Sequence, residues 1–212
     1  MEIRRNRPFE ANSLRTPAKR PVVGVMGGSA VADPVLPEAV GAWLGDTGWD
    51  LLTGAGAGTM EIVSRAFSAR PGRGLVIGVV PGELGDGDEA YETASEAYPN
   101  PWVEVAIYTH LPRARDPEGL SSRNPINVLT SDVVVVLPGE AGTLGELGLA
   151  VRLCKPVAVW LGPSGRLGGL DANAVRRTFG PAAAVAGSFD DIAAFVERTM
   201  VRLGYGRRAA GR

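Results

Sequence analysis

The hydrophobic pattern of this chain is a series of short apolar runs separated by stretches of helical period. Five runs stand out: Pro21 to Gly28, Trp49 to Gly54, Leu75 to Gly82, Asp132 to Leu137 and Pro156 to Gly162. Each is short, apolar without polar alternation and bounded by glycine or proline, as expected for a strand covered on both faces. Val133 to Val136 are β-branched at every position. Trp102 to His110 alternates well enough to be a sixth strand, and Ala182 to Gly187 reads as a short last one.

Helical spacing fills the intervals. Val40, Trp43 and Leu44 share a face within 37–47, which Gly48 closes. Ile62, Val63, Ala66 and Phe67 share another face after Thr59. A short helix precedes Asp132, and a further one begins near Gly142. Asp171 is placed to cap a helix through Phe179. Ser188 or Asp190 caps a closing helix with Ile192, Phe195, Val196 and Met200 on its apolar face.

Strand–helix alternation with short glycine-rich turns predicts an α/β, doubly wound, mainly parallel sheet of about seven strands, with helices on both faces. The pattern lapses at 83–100, read as an acidic surface excursion, and at 113–120, read as an exposed loop. With no linker and no internal repeat, one domain is expected over 21–204. Residues 1–20, with Arg4, Arg5, Arg7, Arg15, Lys19 and Arg20, read as a flexible basic tail, and 205–212 as a second flexible end.

Composition narrows the function classes. The 212 residues are 45 % hydrophobic, enough for one well-buried domain. A net charge of −1 argues against nucleic acid held by bulk charge. One cysteine, Cys154, excludes an internal disulfide, and with one histidine no metal site is expected. No apolar run approaches ~20 residues, so no membrane span is expected. The N-terminus lacks the apolar core of a signal peptide, and a cytoplasmic location is expected.

The chemistry is expected at three glycine-rich turns: Gly27-Gly28-Ser29, Gly54 to Thr59 (with Gly56 and Gly58), and Gly139 to Thr143. In a parallel sheet all three lie at one edge, where ligands of open α/β sheets bind. Glycine lets backbone approach a ligand and frees amides to face oxygens. The plainer alternative is that these glycines only make tight turns. Three on one edge point instead to a small phosphorylated ligand. No lysine follows the glycines as a Walker loop requires. The first turn is not GxGxxG and the second strand ends without an acid, so NAD is not expected.

Read together, these residues resemble the Lonely Guy (SLOG) superfamily, often labelled "lysine decarboxylase-like", over roughly 21–200. The PGGxGTxxE pattern is present as Pro138-Gly139-Glu140-Ala141-Gly142-Thr143-Leu144-Gly145-Glu146. GGGxGxM is present as Gly54-Ala55-Gly56-Ala57-Gly58-Thr59-Met60. The resemblance implies a Rossmann-like homodimer or higher homo-oligomer binding a nucleotide or a phosphorylated pterin. In the family's phosphoribohydrolases an arginine and the last glutamate of the motif serve N-glycosidic cleavage, which carried over are Arg123 and Glu146. A carboxylate there suits oxocarbenium character or an attacking water, and an arginine suits phosphate oxygens.

Three departures matter. Asn124 replaces the lysine of the hydrolase Arg-Lys pair, Glu140 replaces the second glycine of PGG, and Asn127 stands where hydrolases commonly have methionine. Arg123 with Ile126-Asn127 and Leu129-Thr130-Ser131 is more similar to the molybdenum cofactor carrier branch, as is Gly24-Val25-Met26-Gly27. The favoured expectation is therefore a carrier of molybdenum cofactor type. The alternative is a nucleoside 5′-monophosphate phosphoribohydrolase releasing free base and ribose 5-phosphate. A pyridoxal enzyme needs a placed lysine, and neither Lys19 nor Lys155 suits, so no pyridoxal phosphate is expected. His110 reads as a surface residue and Cys154 as buried packing. Trp43, Trp49, Trp102 and Trp160 read as core or dimer packing.

Overall fold

A computed structural model describes residues 19–84, 91–93, 95–113 and 120–205 of the chain. In chain order its elements are β1 (Val22–Met26), α1 (Val35–Gly45), β2 (Asp50–Thr53), α2 (Thr59–Ser68) and β3 (Val76–Val80). Then come β4 (Gly82–Leu84), β5 (Tyr91–Thr93), β6 (Val105–Tyr108), α3 (Asn124–Thr130) and β7 (Val133–Val136). The chain closes with α4 (Ala141–Arg152), β8 (Val157–Val159), α5 (Ala172–Phe179), β9 (Ala184–Val185) and α6 (Phe189–Arg202).

Seven strands form one parallel sheet in the order β6-β3-β2-β1-β7-β8-β9. The alternation of side chains along each strand divides the core in two. Val134 and Val136 of β7 join Val128, Leu147, Ala150 and Val175 from α3, α4 and α5 on one face. Val133 and Val135 join Val40, Val63, Phe67, Ile192, Val196 and Met200 from α1, α2 and α6 on the other. The expected doubly wound α/β architecture is the one present. The order reverses between β1 and β7: the turn after β1 leads to one face and the turn after β7 to the other. A crevice must open between them.

Local signals account for several boundaries. Asp171 accepts a hydrogen bond from Ala174 N (2.7 Å) and starts α5. Ser188 and Asp191 form a capping box on α6, so of the two candidate caps Ser188 is the one used. Asp132 accepts from Val22 N (2.9 Å) and pairs with Lys19 (2.7 Å). Arg20 lies 3.4 Å from Asp50. Lys19 and Arg20 thus adjoin the sheet, while 1–18 and 206–212 fall outside the described residues.

Three readings change. The excursion after β3 contains an antiparallel hairpin, β4 with β5. Trp102 lies on a turn and is 37 % exposed, outside the core in which it was expected. Val105, Ile107 and Tyr108 of edge strand β6 are exposed as well. Cys154 is exposed at φ 53°, just past the end of α4, where the chain must turn left-handed rather than enter the core.

Candidate functional site

The crevice between β1 and β7 is a cleft of about 250 Å³. Gly27, Gly28, Ser29, Gly54, Met60, Arg123, Asn124, Glu140, Gly142, Thr143 and Glu146 all line it. Every segment singled out from the sequence therefore reaches one place. Gly56, Gly58, Thr59, Pro138 and Gly139 do not line the cleft and instead build its rim. His110 is exposed and also lies outside the lining.

The rim is sewn together by backbone. Gly28 N donates to Pro138 O (3.0 Å), and Thr59 N donates to Gly28 O (3.0 Å). Gly139 N donates to Arg166 O (3.0 Å). A side chain on Gly27 would strike Thr59, and one on Gly139 would strike Thr143. These contacts take the amides of Gly28, Thr59 and Gly139 away from a ligand. Loops that pass this closely satisfy one another's donors first. The amides at the start of α4, Ala141, Gly142 and Thr143, are not spent in these contacts. Its N-cap, Glu140, makes no side-chain cap.

Arg123 is the N-cap residue of α3 and is 6 % exposed. Its guanidinium donates to the carbonyls of Gly54 and Val79, at the ends of β2 and β3. It lies 5.5 Å from the centroid of the Tyr98 ring. A Cβ on Gly54 would come within 2.6 Å of the guanidinium, which explains glycine there. Its Nε has no hydrogen-bond partner among the described residues. Burial pulls its pKa below the ordinary arginine value, and the fields of Tyr98 and Glu146 act against that.

Glu146 faces the same cleft from α4 and is 7 % exposed. Asn127, fully buried on α3, donates from Nδ2 to its Oε1 (2.9 Å). Burial pushes the Glu146 carboxyl above the ordinary range, opposed by the Asn127 hydrogen bond and by Arg123. The described ion pairs do not include Arg123 with Glu146, so the two stand apart within one cleft. Asn124 is buried and donates to Gly142 O (3.3 Å), tying α3 to the start of α4.

The sequence reading missed Tyr98 and Arg113, both in the lining. Nothing in the local pattern marks them. Tyr98 is brought in by Asn100, whose N donates to Ala55 O (2.8 Å) and whose Nδ2 donates to Gly56 O (2.9 Å). Arg113, read as part of an exposed loop, sits on the cleft's open side. The arrangement offers an anion two cationic side chains and three helix amides, beside one buried carboxyl. Among the described residues no three His, Cys, Asp or Glu side chains are placed to hold a metal ion. None of the described helices is long and apolar enough to cross a membrane.

The family model described as LDcluster4, SLOG cluster4 family, matches residues 20–178. No curated protein matches the chain. Among solved structures, the molybdenum cofactor binding protein of Rippkaea orientalis is 27 % identical with a TM-score of 0.66, covering 86 % of this chain and 99 % of its own. The molybdenum cofactor carrier protein of Chlamydomonas reinhardtii is 25 % identical with a TM-score of 0.62 and the same coverage of 86 % and 99 %. DNA processing protein A of Helicobacter pylori, at 18 % identity and a TM-score of 0.56, covers 88 % of this chain and 82 % of its own and shares the fold.

Proposed function

Because the chain belongs to the SLOG cluster4 family, we propose that its cleft carries a phosphorylated ligand of the molybdenum cofactor type. One observation carries the reading: the buried Arg123 guanidinium and the uncapped start of α4 face one cleft at the β1/β7 switch point. The likeness to two proteins named for binding or carrying that cofactor, at 27 % and 25 % identity, supports the choice of ligand. The ligand's phosphoryl oxygens take the α4 amides and Arg113, and Arg123 forms the back wall. The molybdenum enters as cargo, held through the organic part of its ligand.

Pure protein is mixed anoxically with molybdenum cofactor released from a molybdoenzyme, then gel-filtered. Pterin fluorescence and molybdenum content are read in the protein fraction. Both are expected to co-elute, with retention roughly tenfold lower for Arg113→Ala, the loss of about one charge-assisted hydrogen bond. Arg113 is exposed, so the melting temperature should stay within a degree or so. No co-elution refutes the carrier reading.

Glu146 favours a second reading, since a buried carboxyl with a raised pKa beside an arginine is how acid–base sites are built. In that reaction the C–N bond from ribose to base breaks while the oxygen of water bonds to the anomeric carbon, and the base leaves with a proton. Adenine released from AMP, and abolished in Glu146→Gln, would establish the hydrolase in place of the carrier.

A further inference from the structure

We propose that Asn127 is the positioning residue of Glu146, and that this pair takes up one proton when an anionic ligand enters the cleft. The inference rests on the reading of the cleft as a phosphoryl site. It goes beyond that reading by assigning Asn127 a task and giving binding a proton stoichiometry.

The geometry around Glu146 is unusual for a carboxyl group. It is nearly all buried, has no ion pair among the described residues, and receives one hydrogen bond, from Asn127 Nδ2 at 2.9 Å. Arg123, which lines the same cleft, spends its Nη1 donors on the Gly54 and Val79 carbonyls. From α3 Arg123, Asn124 and Asn127 face the cleft side of α4. The loop after β5 supplies Tyr98, and the segment before α3 supplies Arg113. From the N-cap of α4 comes Glu140, a like charge. β7 and β8, which pack beneath α4, contribute only valine and alanine. A bare carboxylate here is short of donors.

Asn127 suits both protonation states. Its Nδ2 donates to the carboxylate, while its Oδ1 has no partner among the described residues. Turning the amide by half a turn presents Oδ1 to the O–H of the neutral acid. One fully buried side chain thus holds Glu146 in place whether the proton is on or off. A phosphomonoester brings about −1.5 to −2 charges into this cleft. Like-charge repulsion then favours the neutral acid, which removes from the cleft wall a charge that competes with the phosphoryl group.

Ribose 5-phosphate serves as probe, because it carries the phosphoryl group and has no N-glycosidic bond to lose. Its affinity is measured by calorimetry from pH 5.5 to 8.5 in buffers of different ionisation enthalpy, for wild type, Glu146→Gln and Asn127→Leu. The probe's own titration is common to all three and cancels in the comparison. The affinity of wild type relative to Glu146→Gln is expected to fall by up to tenfold per pH unit within the window, with up to one extra proton taken up. Asn127→Leu removes the hydrogen bond that favours the charged form, so its window moves to higher pH. A purely structural role would weaken binding and leave the window in place. Parallel pH profiles for wild type and Glu146→Gln, with equal proton uptake, overturn the inference while leaving the phosphoryl site standing. Absence of binding by either protein at every pH removes the site itself. Should Asn127→Leu fail to fold, the Glu146→Gln comparison decides alone.

Discussion

Replacing Gly58 with alanine should cost this protein far more than a methyl group ordinarily does. Gly58 is the N-cap of α2 at φ 71°, ψ −129°, a backbone region that side-chain-bearing residues rarely enter. That conformation costs about 1–3 kcal/mol for a residue with a Cβ. The added Cβ would also strike the carbonyl oxygen of Ser29 and come within 2.7 Å of that of Gly28. Both oxygens belong to backbone, so the turns themselves must part. The bond from Thr59 N to Gly28 O spans this contact, and losing it adds about 0.5–1.5 kcal/mol. A total of about 1.5–4.5 kcal/mol follows from these two effects. Urea denaturation of wild type, Gly58→Ala and Gly148→Ala tests it. Gly148 lies within α4, and a methyl group added there would meet nothing within 4 Å, so alanine should stabilise by about 0.5–1 kcal/mol. The Gly58 variant should also bind ribose 5-phosphate more weakly, since Gly28 and Ser29 are part of the cleft wall. Equal midpoints for the two variants would refute the claim that close loop packing dictates glycine at the rim.

Three further outcomes are expected. Glu146 has a folded-state pKa above its ordinary value near 4.5, so the folded chain keeps a proton the unfolded chain has released. The resulting stability is fully present below the unfolded value and is lost as pH rises through the folded one; Glu146→Gln should flatten that slope in urea midpoints from pH 4 to 8, and parallel curves would count against it. Cys154 holds φ 53° just beyond α4, so Cys154→Gly should gain about 1 kcal/mol and raise the melting temperature by about 2–4 °C. Ser188→Ala breaks the capping box of α6 and should cost about 1 kcal/mol in thermal or urea unfolding.

Periodicity was sufficient for the layer plan. The unbroken valines at 133–136 can only be a strand buried on both faces, and the glycine-rich turns after β1, β2 and β7 could only meet at one edge of a parallel sheet. Arg123 and Glu146 were legible because a motif fixes their separation, and the fold does place both in one cleft. Tyr98 and Arg113 were not legible. Tyr98 reaches the cleft from the β3-to-β6 crossover, held by contacts of Asn100 with Ala55 and Gly56, pairs more than forty residues apart, and Arg113 from the segment between β6 and α3.

What the amino-acid order determined alone was the alternation of elements, their caps and the side of the sheet on which a ligand must sit, because these depend on neighbours within a few residues. What only the tertiary structure decided was which amides remain free and which carboxyl is buried. Gly28 and Thr59 spend their amides on neighbouring turns and Gly139 on Arg166, and Glu146 acquires its environment from an asparagine on a different helix. Hydrogen-bond donors are shared out, and burial is assigned, only once distant segments meet.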